Sequence, residues 1–164
     1  MKVRSTLIIW MALVIALPAA ALAQSSGHIQ LTSKAQIEKE VFGTEGRKEV
    51  KRLPATKVVP GSEVIFTTAY ENVSKETAEK AVITNPVPEH MIYSENSARG
   101  AGTRITFSID NGQSFNVPAK LFIVDAAGRK FPARSEDYTH IRWQIRKPLP
   151  SGAKGEVSFR AILK

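Results

Sequence analysis

The stretch Pro60 to Tyr93, PGSEVIFTTAYENVSKETAEKAVITNPVPEHMIY, reads as two strands with turn chemistry at both ends. Pro60 sets the first φ of a turn and Gly61 permits a positive φ after it. Beyond that turn Val64, Phe66, Thr68 and Tyr70 fall on one face, and Ile65, Thr67 and Ala69 on the other. Asn72-Val73-Ser74 marks the next turn, with Asn72 suited to close the strand end through an Asx-type turn. Ala78 to Thr84 leads into Asn85-Pro86-Val87-Pro88, where two prolines end ladder pairing. Met91-Ile92-Tyr93 is a short strand.

The same period of two recurs downstream. Ile105, Phe107 and Ile109 alternate with Arg104, Thr106 and Ser108. Ile141, Trp143 and Ile145 alternate with Arg142, Gln144 and Arg146, and Trp143 on the apolar side is expected in the core. Val157, Phe159, Ala161 and Leu163 alternate with Ser158 and Arg160. Val117, Leu121, Ile123 and Val124 suggest one further strand region, ended by Asp125-Ala126-Ala127-Gly128. Upstream, IEKEVF and RKEVKRL flank Gly43-Thr44-Glu45-Gly46 and read as a hairpin. Seven to nine short strands, each with one apolar and one wet face, predict an all-β, antiparallel two-sheet sandwich of immunoglobulin-like architecture. A closed barrel is the runner-up, and the edge prolines count against it.

The amino terminus has the layout of a secretory signal. Lys2 and Arg4 precede the apolar run Leu7 to Leu17, Pro18 breaks it, and Ala21-Leu22-Ala23 offers small residues to a signal peptidase. Cleavage after Ala23 is expected. The run is shorter than the roughly 20 apolar residues a membrane-crossing helix needs, so no stable membrane span is expected after signal removal. The expected organisation is residues 1–23 as signal peptide, 24–57 as an N-terminal strand or hairpin extension, and 58–164 as the sandwich domain. The expected location is periplasmic or extracellular. The chain has no cysteine, which removes thiolate metal sites and cysteine nucleophiles and leaves folding independent of redox compartment. The formal net charge is +8, with the basic excess at the two ends of the chain around an acidic middle. Such a surface suits anionic envelope polymers. No nucleic-acid motif appears, and that ligand is not expected.

Three segments carry a family resemblance: Pro60 to Tyr70 with Asn72, Thr84-Asn85-Pro86-Val87-Pro88 through Tyr93, and Pro150-Ser151-Gly152 through Phe159. Together they resemble the bacterial conserved repeat domain of cell-surface proteins, domain of unknown function eleven. The resemblance covers about Val58 to Leu163. It implies a surface module, and as partner a surface-repeat protein. Asn85 stands where that family usually has Asp, and this module stands alone where the family strings many copies together.

Candidate sites are few. Ser108-Ile109-Asp110-Asn111-Gly112-Gln113-Ser114-Phe115 resembles the Asp-box turn of sialidase hairpins, a fold element rather than a catalytic one. His28, His90 and His140 are far apart in sequence, so neither a metal nor any other cofactor is expected. Ser135 to His140 brings serine, acid and histidine together, and the alternative to a binding module is a hydrolase or metal-dependent enzyme using Asp137 and His140. Asn72-Val73-Ser74 is a formal glycosylation acceptor. The favoured expectation is a non-catalytic module. Its candidate binding face is Arg142, Gln144, Arg146, Lys147 and Arg160, on the wet sides of the last two strands. Those residues form one patch if the two strands are neighbours.

Overall fold

The computed structural model describes residues 29–42 and 47–164. The expected signal segment, its cleavage position, His28 and the turn at 43–46 lie outside them. In chain order the described strands are β1 (Ile29–Phe42), β2 (Lys48–Pro54), β3 (Glu63–Asn72), β4 (Val82–Pro86), β5 (Met91–Tyr93), β6 (Arg99–Gly100), β7 (Thr103–Ser108), β8 (Phe122–Val124), β9 (Lys130–Pro132), β10 (His140–Ile145) and β11 (Lys154–Leu163). That is eleven strand segments among the described residues, against the seven to nine expected. The excess includes pieces of two and three residues that carry too few side chains to show a period.

Every pairing between these strands is antiparallel. The large sheet runs β2-β1-β3-β11-β5, with β6 also paired to β11. The small sheet runs β4-β10-β7. Their apolar faces share one core: Tyr70, Val157, Phe159 and Ala161 from the large sheet meet Ile83, Phe107, Ile141 and Trp143 from the small one. Trp143 is fully buried, with its ring centroid 6.3 Å from that of Phe159. The fold is therefore all-β and sandwich-like, and the alternation along β3, β10 and β11 is what builds it.

The turn chemistry is as the sequence suggests. Gly61 has φ +86°, and its N–H donates to Leu163 O across the sheet end. Asn72 is 0 % exposed, and its Oδ1 accepts from the Ser74 N–H at 3.1 Å. Its Nδ2 donates to Glu76 O and Leu149 O, both at 2.7 Å. One side chain thus pins the end of β3 to the loop that enters β11, and the formal glycosylation acceptor is sealed inside the fold.

The hairpin forms, with Phe42 opposite Lys48 and Gln36 opposite Pro54. Its first strand also pairs with β3 from Ile29 to Gln36, so β1 is a strand of the large sheet and not only an extension before it. Two expectations change. Val117 to Val124 is not one strand: a 3-10 turn at Pro118–Lys120 precedes β8, and β8 pairs only with β9 in a separate ribbon. Ile65 and Thr67, on the outward face of β3, are nonetheless 3 % and 5 % exposed. Their cross-strand neighbours on that face include Gln36, Ser158 and Arg160, and the long Arg160 stem covers apolar surface while its head stays wet.

Candidate basic face of the small sheet

The outward face of the small sheet is set by register. Gln144 sits between Val82 and Arg104, Arg142 between Thr84 and Thr106, and His140 between Pro86 and Ser108. None of these nine positions carries a carboxylate. Arg142 lies on the middle strand, so edge protection by positive charge does not account for it. Its guanidinium lies over the Phe115 ring, 3.5 Å from the centroid, and its Nε donates to Thr84 Oγ1 at 3.3 Å.

At the Gln144 end the face opens into a cleft of about 480 Å³. Gln144, Arg146 and Lys147 line it together with Lys80, Arg104 and Glu79. Lys80 reaches this position from a loop residue with φ +52°. Among the described residues, Lys80, Arg104, Arg142, Arg146 and Lys147 form no ion pair. Glu79 is the one carboxylate lining the cleft.

Arg160 is not part of this face. β10 and β11 are not neighbours: they lie in different sheets, and the outward sides of the two sheets point away from each other. Arg160 sits on the large sheet, where its Nη1 bonds Glu63 at 2.8 Å and Glu38 at 3.0 Å. Arg52 shares Glu38 at 3.1 Å, and Lys154 pairs with Glu71 at 3.0 Å. Hydrogen bonds from Arg160, then from Arg52, hold the Glu38 carboxyl below its usual range. Arg52, Lys154 and Arg160 of the large sheet are thus neutralised in place, whereas the cations around the small-sheet cleft are not. Of the five residues expected to form the binding face, Arg142, Gln144, Arg146 and Lys147 belong together and Arg160 is separate. Lys80 and Arg104 were missed. The alternation around Ile105 marks Arg104 as outward, but only the β7–β10 register brings it beside Gln144.

The Asp-box-like segment forms a closed turn. Asp110 accepts from Ser108 Oγ at 2.6 Å, Ser114 Oγ at 2.5 Å and the Ser114 N–H at 2.9 Å. These bonds, that from Ser108 foremost, hold its carboxyl far below the ordinary value of 3.8. Gly112 takes φ +84° at the bend, and Phe115 returns the chain beneath Arg142.

For the alternative chemistry, Asp137 Oδ2 accepts from the Arg134 N–H at 2.7 Å, and His140 Nδ1 lies 3.2 Å from Thr139 Oγ1. Neither residue lines the basic cleft, nor the clefts beside Asn85, Ala81 and Arg160. Among the described residues no group of three or more His, Asp or Glu is placed to hold a metal ion, and no helix is long and apolar enough to cross a membrane.

Fold and face together define an all-β, sandwich-like protein with a cluster of cations, unpaired among the described residues, on the outward side of its small sheet. No family model, curated protein or solved structure matches the chain.

Proposed function

We propose that the protein is a non-catalytic, exported β-sandwich module, immunoglobulin-like in architecture, that makes contacts at the bacterial cell envelope. Its binding face is the outward side of the small sheet, and its partner is an anionic envelope polymer or an acidic protein. The carrying observation is the concentration of unpaired cations around one cleft and the adjoining strand. Arg52, Lys154 and Arg160 are spent on carboxylates, whereas Lys80, Arg104, Arg142, Arg146 and Lys147 stand unpaired around one cleft and one strand. Keeping like charges together raises self-repulsion, which an anionic partner relieves. The signal-like amino terminus and the resemblance to the surface repeat domain support the envelope setting.

Pull-down on cell-wall or lipopolysaccharide material tests this. Wild type is retained and released by salt, because exposed charge attraction is screened within about 8 Å at physiological ionic strength. Arg142→Glu/Arg146→Glu loses retention at an unchanged melting temperature. Arg160→Gln, on the other sheet, retains like wild type. Equal retention of the double variant and wild type ends the reading.

A further inference from the structure

The basic face has a length as well as a charge. Alternate residues of a strand point the same way, roughly 6.8 Å apart, so Arg142 and the cleft cation Arg146, the residue that follows β10, are separated by roughly 13 Å. One compact anion in the cleft does not reach Arg142. Gln144 stands between them as a neutral donor, with no carboxylate to interrupt the track. Phe115 holds the Arg142 guanidinium in place before any ligand arrives, which lowers the ordering cost of binding. Carboxylates bound the track at its ends. Glu79 closes the cleft side, and Asp110 lies beyond Ser108 at the far side with its oxygens occupied by serines.

We infer that the ligand of this face is an extended polyanion, a chain of closely repeated phosphate or carboxylate groups lying along β10 from the Arg146–Lys147 cleft to Arg142. The inference rests on the basic-face reading and narrows it: neither a single small anion nor a globular acidic protein uses a track this narrow and linear. The six-residue strand sets a footprint of roughly 20 Å.

The test is titration calorimetry with inorganic tripolyphosphate and with long-chain inorganic polyphosphate, and in parallel with a short and a long oligogalacturonide. At equal concentration of chains, the long chain binds about tenfold tighter than the short one, and the gain levels off once the chain spans the footprint. Arg142→Gln removes that gain and leaves tripolyphosphate binding unchanged, whereas Arg146→Gln weakens both. Length dependence in the polyphosphate arm alone assigns a phosphate-bearing chain, and in the uronate arm alone a carboxylate-bearing one. Tripolyphosphate binding with no gain from length, or with Arg142→Gln inert, overturns the extended ligand and leaves the basic site standing. Absence of binding in every arm overturns the basic-face reading itself, and this inference with it.

Discussion

The Arg142 guanidinium lies 3.5 Å from the centre of the Phe115 ring, so the turn that follows β7 supports the central cation of the small sheet. The pair joins two features that look unrelated in sequence. The Asp-box-like turn from Ser108 to Phe115 sends the chain back past β7, with Phe107 bridged to Asn116, and this places the ring under the β10 arginine. Phe115→Leu keeps apolar bulk but removes the ring face, at a cost of about 0.5–1 kcal/mol for a partly exposed cation–π contact. Urea unfolding measures that cost. Arg142→Gln in the Phe115→Leu background should add no more than the small cost of its exposed hydrogen bond to Thr84, because the ring contact is already gone. Full additivity of the two changes would show that the ring does not hold the arginine.

Asn72 carries a larger share of the fold. Its amide donates to two carbonyls, Glu76 O and Leu149 O, and its oxygen accepts from the Ser74 N–H and hydroxyl. Asn72→Ala removes all four bonds, leaving Leu149 O with only the Ala78 N–H and Glu76 O with only the Ser74 hydroxyl, and costs about 3 kcal/mol. Asn72→Asp keeps the Ser74 bonds but sets a carboxylate against the two carbonyls, and is expected to be at least as damaging. Denaturant midpoints of both variants check this, and a change within about 0.5 kcal/mol for Asn72→Ala, the size of an ordinary surface substitution, would contradict the bonding described.

What the sequence made readable follows from the range of its signals. Alternation is local, so the inward sides of β3, β10 and β11, the burial of Trp143 and the outward placement of Arg142 and Gln144 all follow from it. The Pro60-Gly61 turn and the Asn72 turn are equally local. Alternation cannot say which sheet a strand joins, and that is why Arg160 was grouped with Arg142 although the strands lie in different sheets. Lys80 was hidden for a related reason. It is a loop residue of left-handed conformation, and only the chain path brings it to the cleft. The burial of Ile65 and Thr67 on an outward face depends on long side chains from β1 and β11, which no period within β3 reveals.

Acid sensitivity follows from the carboxylates. Asp110 is held far below its ordinary value of 3.8, chiefly by Ser108 and then Ser114; Asp125 is lowered chiefly by the Arg129 N–H, and Glu38 chiefly by Arg160. A folded-state value below the unfolded one means the stabilisation is complete above the unfolded value and lost as pH falls through the folded one. Stability is therefore expected to be level from neutral pH down to about 4 as far as these groups are concerned, and to fall steadily below that. Melting temperatures between pH 6 and pH 2 test this against Asp110→Asn, whose decline below pH 4 should be shallower than that of wild type. Parallel curves would mean that the Ser108 and Ser114 bonds do not bias Asp110 toward its charged form.

Gly155 sits directly opposite Tyr70 in the β3–β11 ladder, and the Tyr70 ring occupies the space a side chain at Gly155 would need. A Cβ there meets the ring itself and not a flexible chain end, so Gly155→Ala forces Tyr70 out of a packed, 7 % exposed position. The expected cost is about 1–3 kcal/mol, the range for overpacking a core. Gly152→Ala is the contrast, since open space surrounds it and only its φ of +73° resists a side chain; it should cost about 1–2 kcal/mol from backbone strain alone. The two mechanisms separate in a second background. Tyr70→Leu removes most of the ring, so Gly155→Ala should cost clearly less there than in the wild-type protein, while the cost of Gly152→Ala stays the same. If Gly155→Ala is equally destabilising with and without the Tyr70 ring, the glycine is required for a reason other than the close cross-strand packing of that aromatic.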